Sequence, residues 1–366
     1  MEKDLHNRSI KPVLPGDKIK SMLEERGMTQ KELALRIGMT DKHISTVISG
    51  EKKISVSLAR KLAIVFENDY QFWTNMQAAY DNYVLTLEAE NDVKQEEKDI
   101  VKSLKEILTY LEQEKLLMNN CNDTVKVLRL REFLCVNDLT AASKITYNAA
   151  YRAQLKSNSA VDANVLFVWQ RLCEKLTDRV ENVAETLNIE LLKAKVGEIR
   201  SLIASEPTHF RSRLQEIFAE CGIAFDVVRH FRGAPVQGFI KKSENGRNIL
   251  CLTIRNGRAD SFWFTLFHEI GHIVNGDLSM RFVDFPHVDS VAEKAADEFA
   301  TEALIPAKQF DAFVKQCDYR KLTEIEKFSQ VAGVAPFMVI GRLQNMGLLD
   351  WSVYNDYIPK YKWVEE

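Results

Sequence analysis

FTLFHEIGHIV, residues 264–274, decides how this chain is read. Phe264, Phe267, Ile270 and Val274 recur at spacings of three and four, the apolar stripe of a helix. On that helix His268 and His272, four apart, project from one face and can hold one metal ion. Glu269 sits beside the first histidine, close enough to reach a water at the metal's open position without being a ligand. This is the HExxH pattern, and the chemistry it implies is that of a zinc peptidase.

Two histidines leave a zinc site incomplete. A metzincin continuation would need a glycine at position 275 and a histidine at 278, where the chain has Asn275 and Leu278. Downstream, VAEKAADEFATEALIP (291–306) is Ala-rich and has no Gly or Pro before Pro306, so it reads as a second helix. Glu293 and Asp297 lie four apart on it. The chemistry suggests Glu293 as third ligand and Asp297 as the acceptor that orients a ligating histidine through its other ring nitrogen. His287 and Asp277 are next in line as ligands, and a closed structural site is the plainer alternative. Structural sites, however, favour cysteine-rich sets and have no need of a glutamate next to a ligand.

FWFTLFHEIGHI followed by ExxADxFAxxxLIP resembles the ImmA/IrrE family of metallo-endopeptidases, gluzincin-like in ligand layout. The resemblance implies Zn2+ held by His268, His272 and Glu293, with Glu269 as the catalytic glutamate. Many relatives carry a second Glu two residues after the first in the downstream motif; Ala295 stands there, which leaves Glu293 as the ligand. The resemblance also places a basic residue at Arg342, in GRLQ, as a candidate catalytic donor to the oxyanion.

The rest of the chain fits an ordinary globular protein. Its 366 residues exceed what one hydrophobic core usually serves, and 28% charged with 46% apolar residues is a common soluble composition. Six cysteines lie scattered with no CxxC pair, which argues for reduced thiols rather than a disulfide frame. MEKDLHNRSIKP lacks an apolar leader core and no run approaches a membrane span, so the expectation is a cytoplasmic protein with no membrane partner. Residues 1–68 hold 13 Lys+Arg against 9 Asp+Glu, whereas the whole chain is at −3, so only this part leans toward a polyanion.

In that part, after a polar tail (1–14), Pro15 and Gly16 introduce a helix from Asp17 to about Arg26. Thr29 opens a second helix, with Glu32 completing a Thr-x-x-Glu capping box. Gly38 makes a tight turn and Thr40 caps a third helix through about Ser49. The motif is a helix-turn-helix. MTQKELALRIGMTDKHISTVISGEKKIS closely resembles the Cro/CI-like (XRE) repressors in their HigA-antitoxin branch, as do the flanking PGDKIKSMLEERGMTQ and LARKLAIVFENDYQFWTNMQAAYD. The third helix would lie in a major groove. Lys42, His43, Ser45 and Thr46 are the candidate base readers, and Gln30, Lys52 and Lys53 the candidate phosphate contacts. Asp41 is out of place at a phosphate-rich surface. The alternative is a helical domain that keeps the fold for protein contacts.

Residues 88–99 are dense in Glu, Asp and Lys and read as a solvated helical linker, followed by an amphipathic stripe of Ile100, Leu104, Ile107, Leu108 and Leu111. Helices are expected over 124–133, 138–156, 161–176 and 181–204, an all-helical middle domain with Tyr151, Phe167 and Trp169 in its core. Phe210 to Glu220 is a further helix. Period-two apolar runs then follow at 223–228, 235–242 and 248–254, with Asn245-Gly246 marking a hairpin. A small antiparallel sheet is therefore expected before the metal helix, with an edge strand to hold an extended peptide.

The expected fold is mainly α. A five-helix DNA-binding domain (15–87) precedes a linker and middle domain (88–204), an α+β thermolysin-like zincin domain (205–345) and a C-terminal tail (346–366). The whole resembles fusions of a HigA-like domain to an ImmA/IrrE peptidase. It implies a homodimeric transcriptional regulator that binds an inverted-repeat operator in double-stranded DNA and cleaves a protein partner, such as a repressor or toxin-system component. The alternative is a non-catalytic antitoxin or repressor whose peptidase-like domain serves as sensor or partner-binding module. Glu269 divides the two, since a pure binding module has no use for it.

Overall fold

A computed structural model describes residues 11–118, 121–141, 161–204, 210–242, 246–255, 257–276, 282–283 and 291–363. Of the expected helix over 138–156, residues 142–156, Tyr151 among them, lie outside the described residues, as do Asn245, Asp277 and His287, and Leu139–Ala141 form a 3-10 turn. The chain is mainly α with one small sheet, in two compact units: residues 1–98 with 121–128, and 99–120 with 129–366.

Residues 15–91 of the first unit form α1 (Pro15–Glu25), α2 (Gln30–Ile37), α3 (Asp41–Ile48), α4 (Val56–Phe66) and α5 (Tyr70–Asn91). Ile19, Leu33, Ile44, Leu58, Leu62 and Trp73 are fully or almost fully buried and form its core. Thr29 Oγ1 accepts the Glu32 amide at 3.1 Å and Thr40 Oγ1 that of His43 at 3.2 Å, so each threonine caps its helix. The reciprocal half of the expected capping box is replaced by a Glu32–Arg36 pair at 2.6 Å. Gly38, at φ 63°, turns α2 into α3 in a conformation that costs glycine little. The linker is not a separate solvated helix: α5 continues to Asn91, and α6 (Gln95–Ser103) starts after a short break.

The second unit is built around a four-stranded mixed sheet of order β1-β3-β2-β4, comprising β1 (Ile223–Val228), β2 (Gly238–Lys242), β3 (Asn248–Thr253) and the two-residue β4 (Phe282–Val283). The sheet is not purely antiparallel, because β1 pairs in parallel with β3. Strands β1 and β3 are buried at every residue, and parallel strands covered on both faces read as continuous apolar runs. Phe225, Val227, Leu250 and Leu252 face the main core with Phe218 and Phe267. The opposite face meets α9 (Ala163–Thr177), which comes after α7 (Lys105–Gln113) and α8 (Asp123–Leu134) in the chain. There Trp169 meets Phe239 edge-on at 5.7 Å and Glu174 pairs with Lys241.

The middle helices consequently share a core with the sheet instead of forming a domain of their own. The expected helix over 181–204 is shorter. Residues 181–188 are irregular, with Asn182 at φ 57°, and Asn188 caps α10 (Ile189–Ser201) by accepting the Leu191 amide at 2.9 Å. α11 (Phe210–Glu220) packs on β1. Then come α12 (Ala259–Asn275), α13 (Val291–Leu304), α14 (Ala307–Gln316), α15 (Leu322–Ala332) and α16 (Pro336–Asn345). Residues 346–363 are not a loose tail, since the Ala259 amide donates to Pro359 O at 2.9 Å and Trp263 Nε1 to the Tyr361 hydroxyl at 3.0 Å. These bonds fasten the C-terminal segment to the first turns of α12. Among the described residues no helix is long and apolar enough to cross a membrane, and all six cysteines are free thiols.

Candidate metal centre and nucleic-acid interface

Helix α12 is buried almost all round, which is how a mostly apolar helix carrying two histidines and a glutamate comes to lie in a core. His268, Glu269 and His272 are 6%, 1% and 2% exposed. Helix α13 crosses α12 closely, and Gly271 allows it: a Cβ there would lie 3.0 Å from the Ala296 Cα. The crossing brings Glu293 to both rings. His268 Nε2 lies 3.1 Å from Glu293 Oε2 and 3.1 Å from His272 Nε2, and His272 Nε2 lies 3.5 Å from Glu293 Oε1. Burial disfavours the charged Glu293 carboxylate, yet the hydrogen bonds and charge of the two imidazoles outweigh it and hold the group at about 2, below its ordinary 4.5.

These three side chains fit a metal ion. Ligand atoms about 2.0–2.2 Å from a tetrahedral zinc stand roughly 3.3–3.5 Å apart. Two separations, 3.1 Å each, fall just short of that range and the third, 3.5 Å, lies within it, with His268 facing Oε2 of Glu293 and His272 facing Oε1. His268 Nδ1 lies 2.8 Å from Asp297 Oδ1, the partner that would accept from Nδ1–H when Nε2 serves a cation as ligand. His268, His272 and Glu293 form a group whose ligand atoms all lie within 4.8 Å of one another.

Glu269 is set beside this group by a contact that the sequence reading missed. Gly238, the first residue of β2, abuts its carboxylate so closely that a Cβ at 238 would lie 1.7 Å from Oε1. A glycine inside a strand pattern, as in VQGFI, is a usable signal of close approach. The expected ligands and their orienting aspartate are thus together, with Glu269 beside them.

Arg342 lies elsewhere, on the wall of a cavity of about 470 Å³ that Asp297, Thr265 and Gln237 also line. Its Nη1 donates to Ile305 O at 2.5 Å and its guanidinium lies over the Phe310 ring at 4.1 Å. Burial lowers its pKa from the ordinary arginine value.

In the first unit, Ile44 and Val47 anchor α3, leaving Lys42 and Ser45 exposed and His43 and Thr46 half-buried. Thr46 Oγ1 donates to His43 O at 2.8 Å. Gln30, Asp41 and Lys52 are exposed, and Lys53 Nζ pairs with Asp81 at 3.0 Å. Such a largely exposed pair is weak, on the order of 0.2–1 kcal/mol.

Known proteins resemble the two halves separately. A helix-turn-helix family model matches residues 19–73, and an IrrE N-terminal-like domain of the peptidase M78 family matches residues 230–344. The HTH-type transcriptional regulator YbaQ of Escherichia coli (strain K12) is 32% identical over 105 residues, covering 28% of this chain and 89% of that protein. Virulence-associated protein A' of Dichelobacter nodosus is 39% identical over 75 residues, 20% of this chain and 65% of that protein. Among solved structures, an addiction module antidote protein of a HigA family from Coxiella burnetii aligns at 24% identity and TM-score 0.21, over 23% of this chain and 98% of that one. The Pseudomonas aeruginosa antitoxin HigA with higBA promoter aligns at 21% identity and TM-score 0.21, over 23% of this chain and 97% of that one.

Proposed function

We propose, for a chain that belongs to the HTH-type transcriptional regulators and carries an IrrE N-terminal-like domain of the peptidase M78 family, a DNA-binding regulator that is also a zinc-dependent, site-specific endopeptidase. The observation that carries the catalytic half is the convergence of His268, His272 and Glu293 with Glu269 buried beside them. A helix that only bound a partner would have no reason to enclose that carboxylate.

Zinc bound by His268, His272 and Glu293 would supply Lewis-acid polarisation of a peptide carbonyl and ready deprotonation of water near neutral pH. Glu269 accepts the proton as attack begins and delivers it to the leaving amine. Gly238 holds the Glu269 carboxylate in place, and Asp297 fixes the tautomer and tilt of His268. Arg342 is the proposed donor to the developing oxyanion, from the cavity wall it shares with Asp297. An extended substrate segment would enter the cavity where Gln237 and Gly238 adjoin it and Glu269; β2 lies between β3 and β4, so it is not the edge strand expected to pair with a peptide. The substrate class is a folded regulatory protein with an exposed loop, a repressor or toxin-system component.

For DNA, α3 enters the major groove with Lys42, His43, Ser45 and Thr46 toward base edges, and Gln30, Lys52 and Lys53 toward phosphates. A single helix-turn-helix covers too little DNA for specific binding, so the protein acts as a homodimer on two half-sites about 34 Å apart. The cytoplasm is the compartment that suits a regulator with six reduced cysteines. The test of the catalytic half is incubation of wild type and Glu269→Gln with co-encoded DNA-binding proteins, followed by mass spectrometry. Fragments made by wild type alone support the proposal, and identical fragments from both contradict Glu269 as the base.

A further inference from the structure

A second cavity, of about 760 Å³, lies where the start of α9 meets the connection from β1 to β2, and it plays no part in the proposed chemistry. Three side chains that favour anions line it: His230 and Arg232 from that connection, and Arg255 from just after β3. Arg232 and Arg255 are exposed, and neither makes an ion pair with a described residue. Arg255 is nevertheless held against the wall, its Nη1 donating to Pro235 O at 3.1 Å.

His230 is half-buried, and its Nδ1 is enclosed without any hydrogen-bond partner. Burial first, and then the charge of Arg255, hold the imidazole below its ordinary value of 6.5, against a hydrogen bond with the Ala234 backbone that acts the other way. The acids on the wall are already engaged. Glu106 Oε1 lies 3.6 Å from Arg229 Nη2, and Asp162 Oδ1 caps α9 by accepting the amides of Asn164 at 2.8 Å and Val165 at 3.2 Å. The guanidinium groups of Arg232 and Arg255 therefore face a space of small-molecule size, with the His230 ring in its wall.

We propose that this cavity binds a small phosphate monoester, with Arg232 and Arg255 contacting the phosphate oxygens and the His230 ring forming part of the wall behind them. Guanidinium groups suit this because their fixed fork matches phosphate geometry, and arginine is less strongly hydrated than lysine. The ligand would rest on the connection that runs directly into Gly238, the residue set against Glu269. Binding itself requires nothing of the peptidase.

The experiment is calorimetric titration of the full-length protein with ribose 5-phosphate and with adenosine 5'-monophosphate, at ionic strength fixed by sodium chloride. Ribose and adenosine serve as uncharged controls. The expected result is saturable binding of at least one phosphate with a Kd below about 1 mM. Neither uncharged control should bind. Binding should weaken at least tenfold in Arg232→Gln with Arg255→Gln and stay unchanged in Lys327→Gln. Arg232→Gln alone, at an exposed side chain with no partner to lose, should weaken it severalfold in a protein that folds as wild type. Failure of both phosphates to saturate, equal binding of the uncharged controls, or wild-type affinity in the double variant would overturn the assignment.

Discussion

Gly238→Ala tests how the metal centre is assembled without needing a substrate. The added methyl would lie 1.7 Å from Glu269 Oε1, 2.5 Å from Cδ and 2.8 Å from Cγ. Non-bonded heavy atoms settle at about 3.5–4.0 Å, so something must move. The strand is pinned, because Gly238 pairs with Leu252 and Phe239 with Cys251. Glu269 is 1% exposed, so its side chain cannot swing aside without repacking its neighbours. Overpacking of this kind costs about 1–3 kcal/mol. At roughly 2–4 °C per kcal/mol for a domain on the order of 200 residues, the melting temperature should fall by about 2–12 °C. All three close atoms belong to the Glu269 side chain beyond Cβ, so Glu269→Ala removes the clash. In that background Gly238→Ala should be neutral, or stabilising by up to about 1 kcal/mol because alanine restricts the unfolded chain. Thermal unfolding of the four full-length proteins with a chelator present gives the double-mutant cycle. Equal destabilisation in both backgrounds would refute the reasoning, since the methyl would then be meeting something other than Glu269.

The other predictions concern metal and DNA. Glu293→Ala should lose most bound zinc, because two histidines make an incomplete site, whereas Asp297→Asn should weaken affinity by about 10- to 100-fold, toward the lower end for a half-exposed side chain. Zinc content and competition with a chromophoric chelator measure both, and full occupancy in Glu293→Ala would point to another ligand. In mobility-shift titrations the protein should prefer a short inverted repeat from its own promoter region, with affinity falling steeply as salt rises. Lys42→Ala with His43→Ala should erase that preference; equal affinity for unrelated DNA, unchanged in the double variant, would count against operator recognition.

The parts legible in the sequence were those with short-range signatures. Thr29, Gly38 and Thr40 punctuate the helix-turn-helix within a dozen residues, and HExxH places two imidazoles on one helical face by spacing alone. Glu293 was legible because it repeats the four-residue logic with Asp297 on the next helix. Long-range pairing was less so. Nothing local in IAFDVV says that its neighbour is β3 in parallel rather than β2, although its unbroken apolar run is the mark of a strand covered on both faces. The middle helices looked like a separate domain because their partners, Phe239, Lys241 and Cys251, come some 65 to 85 residues later. Arg342 is a case where a motif position gives a residue type but not a location. Gly238 was visible only as a glycine in a strand, and its purpose appears once Glu269 is seen against it.

The most direct test of the catalytic account compares zinc-loaded wild type with zinc-loaded Glu269→Gln. Both are incubated with the co-encoded and promoter-bound partner proteins, and cleavage is followed by mass spectrometry. The account predicts equal zinc content and equal melting behaviour, with a defined fragment pair from wild type that slows by at least about 100-fold in the variant, the scale of a lost general base. Identical cleavage by both proteins would remove Glu269 from the mechanism, and intact partners with both, under inducing conditions as well, would contradict the peptidase itself.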